Sequence, residues 1–136
     1  MRRRRNDHKL AWLEHTLSLG GAPRRELDAL AATADRATVP AGTVLARQGE
    51  VGREAFVVAS GEVEIRRDGV PLARLGPGEV VGELALLGGA YRSADVVAVE
   101  PVEVVVFDAR SFSTAMMVSP GLRAHVETAA DARTAA

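Results

Sequence analysis

The sequence predicts a mainly β fold with flanking helices, a small jelly roll bracketed by helical segments at both ends of the chain. Three observations carry this prediction. Apolar residues recur at helical spacing in the first and last stretches. From Thr38 the apolar period drops to two. Turn-forming residues then punctuate the middle of the chain about every eight to ten residues, the interval of a compact β sandwich or roll.

Taken in order, Leu10, Leu13, Leu17 and Leu19, with Trp12, mark a first short helix that ends at Gly20-Gly21. Ala22-Pro23 opens a second, in which Leu27, Leu30, Ala31 and Ala34 share one face. The β segment begins at Thr38. Its turns are Pro40-Ala41-Gly42, Gln48-Gly49-Glu50, Ser60-Gly61, Asp68-Gly69 and Gly76-Pro77-Gly78. Asp68-Gly69 is the clearest hairpin signal and joins VEIRR to VPLARL. Strands resume over Ala94 to Val99 and Val102 to Phe107. In the second of these, alternation gives way to the run VEVVVF, which predicts burial on both faces.

Between the two strand groups, Gly82 to Arg92 does not read as β. Glu83 to Leu87 is one turn of good helix formers, and Gly88-Gly89 loosens the chain after it. A short helix inserted in a β roll marks a site. Beyond the strands, Ser111 is expected to cap a helix from Phe112 to Val118. Pro120 restarts the chain into a tail helix with Leu122, Val126 and Ala129 or Ala130 on one face.

Composition bounds the function. The 136 residues suit one domain over 10–136, preceded by a basic tail over 1–9 that is expected to be disordered. The tail reads as a solvated terminus, with a tether to nucleic acid or an acidic membrane as the weaker reading. No apolar run is long enough to span a membrane, and polar residues follow Arg2 to Arg5 where a signal peptide needs an apolar core, so a cytoplasmic location is expected. The absence of cysteine excludes disulfides and thiolate-held metals. His8, His15 and His125 share no ligand spacing, and no nucleophile elbow, zinc-protease helix or P-loop is present, so a non-enzyme without cofactor is expected. The net charge of −1 offers no general attraction to nucleic acid.

The ordered set of AGTVLARQGEVGREAFVVASGEVEI, LGPGEVVGELALL and RSADVVAVEPVEVVVFD resembles the cyclic nucleotide-binding domain family, the β-roll of catabolite activator proteins, kinase regulatory subunits and cyclic nucleotide-gated channels. The resemblance covers about Leu17 to Val126. It implies a double-stranded β-helix with a short phosphate-binding helix and carboxy-terminal lid helices. It also implies a ligand site at Gly82, Glu83, Leu84, Ala85, Arg92 and Ser93. Backbone N–H groups near Gly82, Ala85 and Ser93 would face the ligand, Glu83 would accept the ribose 2′-hydroxyl, and Arg92 would pair with the cyclic phosphate. The chemistry fits independently of the family. A compact anion suits the exposed N–H groups at a helix start, and a guanidinium offers two parallel donors to two phosphate oxygens. Two departures stand out: Val81 where an aromatic residue often precedes the GE pair, and the flexible Gly88-Gly89.

The family reads the purine from its carboxy-terminal helix, where Arg123, His125 and Thr128 are the polar choices, Arg123 foremost. The expected ligand is cAMP, with cGMP as the alternative. An Arg- and Ala-rich, Lys-poor composition reads as a bacterial GC-rich genome. The expected function is a stand-alone cyclic nucleotide sensor that signals to an unidentified effector protein through movement of the carboxy-terminal helices. With the chain ending at Ala136, no helix-turn-helix module and no direct DNA binding are expected. The tail helix could instead pair with a copy of itself. The alternative function is a β-roll that binds no nucleotide and serves as a protein interaction or dimerisation module.

Overall fold

In the computed structural model of the chain, the described residues are 10–17, 19–82 and 91–135. Residues 10–16 form helix α1, and helix α2 (Arg24–Thr33) follows Pro23, whose φ of −58° leads the chain into the first turn. Leu10, Leu13, Leu17, Leu19, Leu27 and Leu30 are all buried, as their spacing predicts.

Among the described residues, eight strands follow: β1 (Asp35–Val39), β2 (Val44–Ala46), β3 (Glu54–Ser60), β4 (Val63–Arg67), β5 (Val70–Leu75), β6 (Val80–Val81), β7 (Asp95–Ala98) and β8 (Val102–Asp108). They form two antiparallel sheets in the orders β1-β8-β3-β6 and β2-β7-β4-β5. Helices α3 (Ala109–Val118) and α4 (Pro120–Ala135) complete the described chain. This is the expected mainly β roll with flanking helices.

One sheet is covered twice. On β8, Val102 and Val104 enter the roll interior with Phe56 and Val58 of β3 and Val81 of β6. Val105 and Phe107 point the other way, into a second core with Ala55, Val57, Val80 and the helices. A period of two divides the strand between two apolar environments, so Val102 and Val104 are buried on one face and Val105 and Phe107 on the other. Phe107 meets Phe112 of α3 edge to face at 5.9 Å, which joins sheet to helix.

The Asp68-Gly69 hairpin forms as read: both residues have positive φ, 53° and 78°, and Val63 to Arg67 pairs with Val70 to Leu75. Strand β5 is an edge, exposed over most of its length, and Pro71 is tolerated there.

Several boundaries differ from the sequence reading, two of them with a clear physical reason. The first strand starts at Asp35 rather than Thr38, because Asp35 and Arg36 pair with Val106 and Val105 across the sheet. The helix expected to be capped by Ser111 starts at Ala109, and its cap is Asp108, whose Oδ1 accepts the Ser111 N–H at 2.7 Å. Ser111 is the donor of that capping bond. The expected tail over 1–9, and the short helix over Glu83 to Leu87, lie outside the described residues.

Candidate functional site

Strand β6 ends at Val81, and Gly82, which follows it, has a φ of +84° that residues other than glycine adopt only with strain. A Cβ built there would fall on Arg92 Nη1 and 2.9 Å from the Glu54 carbonyl oxygen. Glycine at this position therefore opens the seat of the Arg92 guanidinium. Nη1 donates to the Gly82 carbonyl at 3.0 Å, and Nη2 donates to the carbonyl of Glu54, at the start of β3.

Arg92 is 8% exposed, one of a small set of buried polar or charged residues among those described. Burying a guanidinium is costly unless its donors are met. The Gly82 and Glu54 carbonyls meet two of those donors.

The main chain at Arg92 is held as firmly as the side chain. Its N–H donates to Glu50 O at 2.7 Å, and its carbonyl accepts the Gly49 N–H at 2.9 Å. Beside it, Tyr91 bridges Val51. Alternation across this short pairing leaves Tyr91 69% exposed and turns Arg92 inward. Ser93 is exposed, and its carbonyl accepts Arg67 Nε at 3.1 Å.

A cleft of about 470 Å³ opens here, lined by Arg47, Glu50, Arg53, Glu54, Tyr91 and Arg92, among others. The structure thus brings Gly82 and Arg92 into contact and places Ser93 next in the chain. Glu83, Leu84 and Ala85 lie outside the described residues. The sequence reading missed Gly49, Glu50 and Glu54, whose backbones seat Arg92. The QGE string was legible as a turn, but nothing local reveals which distant segment a turn's backbone will grip.

A second cleft of about 590 Å³ lies between α4 and the β5–β6 turn, lined by Gly78, Glu79, His125 and Thr128 together with apolar neighbours. His125 Nε2 and the Gly78 carbonyl oxygen are 2.6 Å apart. Arg123 does not line either cleft; its Nη1 donates to Met116 O at 3.4 Å. At the start of α4, Ser119 Oγ accepts the Leu122 N–H and donates to Glu26 of α2, which also accepts the Gly121 N–H.

Among the described residues, two carboxylates titrate below their ordinary values, and both lie away from the first cleft. Glu64 is lowered chiefly by the hydrogen bond from Arg66 at 2.6 Å, with Arg74 adding to the effect. Asp108 is lowered chiefly by the Ser111 backbone N–H that it caps. Among the described residues, no group of three or more His, Cys, Asp or Glu side chains is placed to hold a metal ion. No described helix is long and apolar enough to cross a membrane.

Known proteins resemble this chain in sequence and in fold. The family described as "Cyclic nucleotide-binding domain" matches residues 36–119, more than half of the chain. A cyclic AMP receptor protein of Thermus thermophilus is 38% identical over 90 residues, which are 62% of this chain and 42% of that protein. A cGMP-dependent protein kinase of Caenorhabditis briggsae is 40% identical over 72 residues, 53% of this chain and 10% of the kinase. The regulatory domain of Toxoplasma gondii PKA, solved with cAMP, has the same fold, with a TM-score of 0.77 at 22% identity over 94% of this chain and 51% of that one. The chain thus spans less than half the length of either sequence relative.

Proposed function

The chain belongs to the cyclic nucleotide-binding domain family, and from that premise we propose that it binds a cyclic nucleotide, cAMP in preference to cGMP, at Arg92. The observation that carries this reading is the buried guanidinium seated against Gly82 and Glu54. The cyclic phosphate takes parallel donors from Arg92. Gly82 lets the chain approach the ligand closely, and the N–H groups near Gly82, Ala85 and Ser93 face the phosphate. Glu83 accepts the ribose hydroxyl and balances the cation, while Leu84 anchors the segment. The preference for cAMP is supported by the likeness to the cyclic AMP receptor protein of Thermus thermophilus, and the likeness to the cGMP-dependent kinase keeps cGMP as the competitor.

The output runs through α4. Leu122 and Val126 pack in one core with Val80, two residues before Gly82, and His125 contacts the β5–β6 turn. A shift at Gly82 is therefore felt at α4 through packed neighbours. The domain, taken as 10–136, works by binding rather than by catalysis, without a cofactor, on an effector protein in the cytoplasm.

The test is titration calorimetry of the wild type with cAMP and cGMP, alongside Arg92→Leu and Arg92→Lys. Arg92→Leu is expected to cost roughly 2–5 kcal/mol of affinity by leaving the phosphate without its partner. Arg92→Lys keeps the charge but not the paired donors, and is expected to fall between the two. Unchanged affinity in Arg92→Leu overturns the assignment. Binding of neither nucleotide by the wild type favours the interaction-module reading.

A further inference from the structure

The turn between β2 and β3 does more than reverse the chain. Gln48 and Asp68 exchange two hydrogen bonds: Gln48 Nε2 donates to Asp68 Oδ1 at 2.9 Å, and the Asp68 N–H donates to Gln48 Oε1 at 2.8 Å. The Gln48 backbone N–H donates to Asp95 Oδ1 at 2.7 Å. Arg67, adjacent to Asp68, holds the Ser93 carbonyl. One glutamine therefore links the tip of the β4–β5 hairpin to the segment that carries Arg92. The next two residues, Gly49 and Glu50, are the ones that bracket Arg92 on both sides of its peptide unit.

We propose that Gln48 is a positioning residue for Arg92. Gln48 does not itself line the cleft, although its neighbours Arg47 and Gly49 do; it acts through the Gly49–Glu50 pairing, fixing the depth at which the guanidinium is presented. The inference rests on the reading of Arg92 as the phosphate partner. Its physical basis is that a bidentate contact needs both donors aligned, so a displacement of the backbone by a fraction of an ångström is costly. The hairpin supplies the rigid end of the tie, because its two-residue turn fixes Asp68 at a positive φ. An amide is suited to this role: it donates to a carboxylate and accepts from a backbone N–H at once, which neither a carboxylate nor an ammonium can do.

Three variants test the proposal. Gln48→Ala removes both side-chain bonds without adding charge. Gln48→Glu places a carboxylate against Asp68. Gln48→Glu with Asp68→Asn reverses the donor and acceptor, and asparagine tolerates the positive φ. The readouts are cAMP affinity, thermal midpoint, and hydrogen exchange of the Gly49 and Arg92 amides. Gln48→Ala and Gln48→Glu are expected to weaken affinity on the order of threefold to tenfold and to speed exchange at both amides, with the thermal midpoint little changed. The double variant is expected to return both readouts toward wild type. Unchanged exchange in Gln48→Ala overturns the tie, and unchanged affinity with faster exchange overturns its role in binding. If the wild type binds neither nucleotide, the reading of Arg92 falls and the role in binding with it, while the exchange rates still decide whether Gln48 holds the segment.

Discussion

Gly82 is the residue on which the site depends most directly after Arg92. Its positive φ and the closeness of the guanidinium make the same demand, the absence of a Cβ. Gly82→Ala is expected to cost about 1–2 kcal/mol of stability from the left-handed backbone alone. It should also displace Arg92 and weaken cyclic nucleotide binding. Chemical denaturation and calorimetry on the same variant check both effects; full stability with full affinity would show that the segment relaxes around the new methyl group. Gly82 and Arg92 were both legible in the sequence, one as the start of the string GELALLGGAYRSA and the other as the cation within it. Their mutual contact was not legible, since the side chain reaches back across ten residues to a carbonyl.

At the scale of the element, helix α3 shows how a cap ties secondary structure to pH. Asp108 closes β8 and opens α3, and its carboxylate accepts the Ser111 N–H. That bond favours the charged form and holds the folded-state pKa below its unfolded value. The stabilisation is therefore fully present above the ordinary aspartate pKa of about 4 and is lost as pH falls through the depressed folded value. Asp108→Asn should flatten the acid limb of a stability-versus-pH curve while leaving the region above pH 6 nearly level, since asparagine can also cap. An acid limb identical to wild type would remove Asp108 as its cause. The sequence placed a cap at this junction but assigned it to Ser111. Both residues are good caps, and the choice was made by where β8 stops pairing with β3, at Asp108 opposite Glu54.

For the whole molecule, the decisive feature is a sheet covered on both faces. The roll interior lies on one side, and the helical layer of α1, α2, α3 and α4 lies on the other. Phe107 stands where the helical layer meets β8, fully buried and in edge contact with Phe112. Phe107→Ala is expected to lower stability by about 3–5 kcal/mol through lost burial and the cavity left behind. Because Val80 belongs to the same core, loosening that core should also weaken the proposed coupling between β6 and α4. Thermal unfolding followed by circular dichroism measures the first effect. A loss below 1 kcal/mol would mean that the layers repack around the gap.

The sequence by itself determined what depends on neighbours along the chain: the change of period at the first strand, the Asp68-Gly69 hairpin, the double burial of VEVVVF, and the string that carries Arg92. Each is a matter of backbone preference or of apolar spacing over a few residues, so each can be read without knowing the partner. Only the tertiary structure decided that β1 begins at Asp35, that Asp108 is the cap, that Glu54 and Gly82 seat the guanidinium, and that Gln48 grips Asp68 from twenty residues away. These are backbone and polar contacts between segments distant in sequence. Hydrogen-bonding groups are present at every residue, so no local pattern marks which of them will meet; the closure of the roll makes that choice.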